Sequence, residues 1–144
     1  MADVGERALE GDPVRVAAPA VLEVAYGIEL AISEDVRHIE HIKLFERCVT
    51  DGLFRVVPLD ARAALVAGRL RARCAQAPAR RRGDRRSKPM RQVAWMLDIQ
   101  IAATAFASGL HVATVNRADF EQIADALTTL FPAAPALEVA PTPA

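Results

Sequence analysis

Residues 97–120 read LDIQIAATAFASGLHVATVNRADF, and the folding of this stretch decides the architecture. Apolar and small residues run to Ala107, so it begins as the end of a helix over residues 90–108, stopped by Gly109 as a C-terminal cap. LHVATV (110–115) then reads as a strand, and residues 117–131 as a helix ended by Phe131-Pro132. Two carboxylates interrupt the pattern. Asp98 shares a helical face with Ile101, Ala102 and Ala105, where an aspartate neither caps nor favours the helix. Burying it ionised and alone is too costly, so it must be solvated, paired or given a ligand. Asp119 follows the strand, with Asn116 at the turn. Those two residues fit either a capped helix start with an acid at the positive dipole end, or a site for a ligand.

Working outward, Asp12-Pro13 punctuates the start, VRVAAP (14–19) reads as a short strand and residues 19–32 as a helix. DVRHIEHIKLFERCV places Val36, Ile39, Ile42, Phe45 and Val49 close to a helical period of about 3.6 residues, predicting an amphipathic helix ended by Asp51-Gly52. LFRVVPL (53–59) is a second strand, and DARAALVAGRLRARCAQA (60–77) a second long helix with Asp60 as its cap. ALEVA (136–140) is a weak last strand, and the Pro-rich 141–144 is expected to fray. Strands alternating with helices predict an α/β domain, a mostly parallel sheet with helices on both faces. The length of 144 residues suits one domain spanning 1–144, and the 52% apolar content suits a globular one.

The formal net charge of zero conceals segregation. Residues 1–60 carry 12 acidic and 6 basic side chains, residues 61–91 carry 1 and 11, and residues 92–144 carry 5 and 1. The densest part is ARRRGDRRSKPMR (79–91), with Arg80, Arg81, Arg82, Arg85, Arg86, Lys88 and Arg91. Such a block reads either as a solvated basic loop or as a strip for a phosphate backbone, bound through counterion release. Few aromatics stand nearby to stack bases, so the strip would attract a polyanion rather than read its sequence.

Several function classes find no support. The chain has no P-loop, GxSxG or GxGxxG. Apolar runs are too short for a membrane span and the acidic start is unlike a signal peptide, so a cytoplasmic protein without membrane contact is expected. Cys48 and Cys74 lack ligand spacing and are expected as reduced structural thiols. His38 and His41 lie three apart on one helical face with no third ligand at a recognisable spacing, and read as a surface pair.

In open α/β sheets ligands bind beyond the carboxyl ends of the strands, which gives weight to Asp98, Asp119 and Glu23. Glu23 stands four residues past Pro19, on a stripe with Ala20, Gly27 and Ala31, and taken alone would sit half exposed. Converging carboxylates repel one another unless protonated or bridged by a cation, and hard oxygen ligands suit Mg²⁺ or Mn²⁺.

These residues resemble the PIN-domain ribonucleases, in particular the toxin subunits of VapBC-type toxin–antitoxin modules. The resemblance rests on DIQIAATAFASGLHVATVNRADF (98–120), similar to that family's Asp, IAATA helix, Gly-Leu, short strand and T-x-N-x-x-D-F, and on PAVLEVAYGIELA (19–31). Together they cover about a quarter of the chain. The resemblance implies a PIN-like three-layer fold and makes Glu23, Asp98 and Asp119 catalytic metal-site acids. Asn116 becomes a polar neighbour of the site and Thr114 its strand-end support. It further implies Mg²⁺ or Mn²⁺ as cofactor, RNA as substrate, and a cognate antitoxin as partner, in a family whose toxins commonly dimerise.

One departure is specific. The family opens with an apolar strand ending in Asp followed by Ser or Thr, lying mid-sheet, whereas Asp3 precedes Val-Gly-Glu and Asp12 precedes Pro13. The expectation is therefore a first central strand missing from the chain as given, through a start upstream of Met1 or a truncated copy, and with it one metal ligand. The resulting reading is a metal-dependent endoribonuclease toxin. The competing reading is a degenerate PIN-like protein that engages antitoxin or RNA without turnover; a receiver-like signalling domain lacks its strand-end phosphoacceptor and acidic pair.

Overall fold

The computed structural model describes residues 13–142, so Asp3, Asp12 and the last two residues of the tail lie outside the described residues. The described chain divides into two compact units, the first ending at Pro58 and the second beginning at Leu59.

In the first unit β1 (Val14–Ala17) leads directly into α1 (Ala18–Glu34), where Pro19 occupies the first turn and loses no helical hydrogen bond. A 3₁₀ turn (Val36–His38) follows, capped by the Asp35 carboxylate, which accepts from the Arg37 N–H at 3.0 Å. Then come α2 (Ile39–Thr50) and β2 (Phe54–Val57). The helix expected from Asp35 onward is thus split, because Asp35 is extended and begins a separate 3₁₀ turn. β1 and β2 pair in parallel, Val14 opposite Phe54 and Ala17 opposite Val57. Burial here is sparse: Pro19 is the buried residue of α1, while Leu22, Tyr26 and Leu30 stay exposed.

The second unit holds the core. α3 (Ala61–Arg73) starts at Asp60, whose side chain accepts from the Ala63 N–H at 2.8 Å, as expected of a cap. α4 (Lys88–Ala107) packs along α3, and α5 (Arg117–Leu130) adds the stripe Phe120, Ile123 and Leu127. These meet Val66, Leu70, Trp95, Ile99 and Val112 in one cluster. Each large side chain buried there contributes about 1.5–3 kcal/mol of transfer free energy. Ala102 and Ala103 are fully covered, and their small side chains let neighbouring elements pack closely on α4.

α4 ends at Gly109, with φ 66°. Leu110 N–H returns to the Ala105 carbonyl at 2.9 Å and Gly109 N–H to Phe106 at 3.2 Å, a Schellman closure that turns the chain sharply into β3 (Val112–Ala113). β3 pairs in parallel with β4 (Val139–Ala140), and α5 forms the crossover. The expected α/β character with parallel strands is present. Among the described residues the strands form two separate two-stranded sheets rather than one. They are also shorter than predicted: only two residues of LHVATV find ladder partners, because a strand is defined by its pairing.

The basic loop is shorter than the expected 79–91. Ser87 accepts from the Met90 N–H at 3.3 Å and Pro89 suits the first turn, so Lys88 and Arg91 belong to α4. No helix among the described residues is long and apolar enough to cross a membrane. Cys48 and Cys74 are both free, and burial pushes the Cys74 thiol upward.

Candidate functional site: two carboxylates beneath an arginine loop

Asp98 lies midway along α4, one position before the buried Ile99, and Asp119 lies in the first turn of α5. The Schellman turn at Gly109 reverses the chain between them. Asn116, at the N-cap position of α5, joins them: its Nδ2 donates to Asp98 Oδ2 at 3.3 Å and to Asp119 Oδ2 at 2.8 Å. Its side chain therefore does not cap the helix, although its position is that of a cap. Thr114 fixes this turn from the strand side, its Oγ1 accepting from the Asn116 N–H at 3.0 Å while its own N–H bonds the Ala140 carbonyl at 3.0 Å.

The basic segment folds onto these acids. Arg81 Nη2 lies 2.5 Å from Asp119 Oδ1, and Nη1 donates to Asn116 Oδ1 at 3.3 Å. Arg81 is half exposed, whereas the Asp119 side chain retains 14% of its accessible surface. The loop's own geometry delivers Arg81. Arg81–Asp84 form a tight turn, closed by Asp84 N–H to the Arg81 carbonyl at 3.1 Å, with Gly83 at φ 85° where a side chain would be strained. Asp84 then accepts a forked pair from Arg86 and the Arg86 N–H, all at 3.0 Å. Those bonds hold the Asp84 carboxyl down at about 2. Arg86 is raised in turn, chiefly by its hydrogen bond to Asp84 and further by the charges of Asp84, Asp119 and Asp98.

Three side chains of α4 seat the loop's entry. Trp95 Nε1 donates to the Cys74 carbonyl at 2.7 Å, Gln92 bridges the Ala75 carbonyl (2.7 Å) and Ala77 N–H (2.9 Å), and Arg91 Nη1 donates to the Pro78 carbonyl at 3.1 Å. The buried Arg91 Nε has no hydrogen-bond partner among the described residues. Arg81, Arg86, Arg91, Asp98, Asn116 and Asp119 line one cavity of about 360 Å³ with Asp84 and Trp95.

The sequence-predicted residues divide accordingly. Asp98, Asp119, Asn116 and Thr114 come together, with Arg81, Arg86 and Arg91 around them. Arg80 is held by the Asp84 carbonyl at 2.5 Å, and Arg82, Arg85 and Lys88 are exposed. Glu23 lies exposed on α1 in the first unit. Among the described residues, no group of three or more His, Cys, Asp or Glu stands placed to hold a metal ion. The His38 and His41 rings face each other, Nδ1 to Nδ1 3.2 Å, as an exposed pair. Sequence reasoning missed Asp84, Gln92 and Trp95. The signal for Asp84 was present: a lone acid after glycine in RRGDRR, two residues before an arginine, matches a turn closed by an aspartate.

Carboxylates are hard oxygen donors, and Mg²⁺ is ordinarily held by one or two of them with water and substrate phosphates completing its shell. The two carboxylates match such an ion in donor type, while the Asn116 amide turns its NH₂ to them and its oxygen to Arg81. The surrounding guanidiniums fit phosphate oxygens, which accept their forked N–H pairs. Comparison with protein-family models, curated proteins and solved structures gives no match.

Proposed function

We propose that the chain is a metal-dependent endoribonuclease of the toxin type, hydrolysing RNA phosphodiesters with Mg²⁺ or Mn²⁺ held at Asp98 and Asp119. The observation that carries this reading is the convergence of those carboxylates on Asn116 beneath arginines in one cavity. A divalent ion held there supplies a Lewis acid that activates water and offsets charge on the phosphodiester.

The chain's own groups do the positioning. Asn116 and Thr114 hold the two carboxylates in register. Arg86 and Arg91 face the cavity as phosphate ligands, and the buried, unpaired Arg91 Nε gains an acceptor when a phosphate oxygen enters. Exposed Arg82, Arg85 and Lys88 attract the RNA backbone by counterion release and set no base preference. A cognate antitoxin and a second copy of the chain enter this reading as partners through the family resemblance. The family resemblance names Glu23 as a further acid; it lies in the first unit, and the reading rests on Asp98 and Asp119 of the second.

A second reading, polyanion binding without turnover, is favoured by one observation: Arg81 already neutralises Asp119. Incubating labelled single-stranded RNA with the chain in Mg²⁺ or Mn²⁺, against an EDTA control, separates the two. Cleavage that EDTA abolishes supports the nuclease; RNA retention without cleavage, indifferent to EDTA, supports the binder.

A further inference from the structure

Arg81 differs from a phosphate-binding arginine held ready in solvent. Both oxygens of Asp119 accept N–H groups, Oδ1 from Arg81 and Oδ2 from Asn116. Arg81 also sets the amide's orientation: Asn116 turns its oxygen to the guanidinium at 3.3 Å, which leaves its NH₂ facing the carboxylates. In this arrangement Asp119 is bonded by the Arg81 guanidinium and the Asn116 amide, and Arg86 stands close enough to sense the charge of both acids. A cation placed beside Oδ1 is repelled by the guanidinium. Were Arg81 withdrawn, Asp119 Oδ1 would be released and the amide could turn, presenting Oδ1 beside the carboxylates as a third hard oxygen.

We propose that Arg81 is a gate coupling polyanion binding to divalent-cation binding. On the bare chain it acts as the internal counter-ion of Asp119. When the basic loop meets a phosphate backbone, Arg81 exchanges its carboxylate partner for a phosphate, which accepts the same fork of N–H donors. Asp119 and Asn116 are then free to take a divalent cation. The inference rests on the metal-site reading and adds its regulation: the cation site assembles when the polymer is in place. Linkage makes the effect reciprocal, so the cation tightens polyanion binding by the same factor. Gly83 and Asp84 shape the turn that lets Arg81 reach inward while Arg82 and Arg85 stay exposed.

The test is Mn²⁺ binding by the full chain, followed through the electron paramagnetic resonance of free Mn²⁺, with and without saturating short oligothymidylate as a phosphate-backbone probe. Wild type is compared with Arg81→Ala and with Arg71→Ala, which removes an equal charge from an exposed position on α3 that does not line the cavity. Arg81 is half exposed, so truncating it leaves the core intact. Arg81→Ala is expected to bind Mn²⁺ up to about five-fold more tightly than wild type, the range for a partly exposed ion pair, and Arg71→Ala to stay near wild type. Oligothymidylate tightens Mn²⁺ binding to wild type by a similar factor and leaves Arg81→Ala unchanged. Equal Mn²⁺ affinity in all three proteins, or equal tightening of wild type and Arg81→Ala by the oligonucleotide, overturns the gate while the metal site stands. Absence of Mn²⁺ binding in all three overturns the metal reading and the gate together.

Discussion

Replacing Trp95 with Phe isolates the anchor that seats the arginine loop. Trp95 is 2% exposed, packs in the core cluster and donates Nε1 to the Cys74 carbonyl at 2.7 Å. Phe keeps an aromatic ring but loses this donor, leaving the carbonyl unpaired at a cost of about 1 kcal/mol, and the smaller ring leaves a void costing about as much again. The sum of about 2 kcal/mol lowers the melting temperature of the second unit by roughly 8–16 °C, at the 4–8 °C per kcal/mol usual for domains of this size. Urea and thermal unfolding should be followed by far-ultraviolet circular dichroism, because Trp95 is the chain's only tryptophan. Hydrogen exchange at the Ala77 amide, which bonds Gln92 within the same seat, supplies a local readout and should quicken more than exchange within α5. A loss below about 0.5 kcal/mol with unchanged denaturant slope and unchanged Ala77 protection would refute Trp95 as the anchor.

Two further outcomes are expected. Gly109→Ala places a side chain at φ 66° in the Schellman turn and should destabilise the second unit by about 1–2 kcal/mol, measured by urea unfolding; a neutral effect would mean the turn carries no backbone constraint. Asp84 is held at about 2 by its bonds from Arg86, below its ordinary value of 3.8. Its contribution to loop order is therefore complete above the ordinary value and lost as pH falls through about 2. Carboxyl-carbon NMR should place the Asp84 midpoint near that lower value, and Arg86→Ala should return it toward 3.8.

Much of the candidate site was readable because its pieces are local. Asn116 and Asp119 lie three residues apart at a helix start, and Gly109 marks where α4 must turn back, so the return of the chain toward Asp98 follows from a cap and a short strand. The strand–helix alternation was readable for the same reason. Arg81 was not. A block of like charge reads as solvated, and its inward turn depends on side chains from α4 gripping residues 74–78, a tertiary effect invisible to local pattern. Strand extent was also hidden, since Leu110 and Val115 share the β character of LHVATV but lack ladder partners in the β3–β4 pairing. The amphipathic stripe of residues 36–49 predicted a buried face, yet Val36 is 70% and Ile39 44% exposed: a pattern states which face seeks cover, not what covers it.

The most direct test of the account is the cleavage rate of end-labelled single-stranded RNA by the full chain in Mn²⁺, wild type against Asp98→Asn. Loss of a carboxylate ligand should lower the rate by at least about 100-fold, since even substitutions beyond the ligands cost 10–100-fold, while the melting curve stays in place. Equal cleavage by the two proteins would contradict the assignment of Asp98 and with it the metal site.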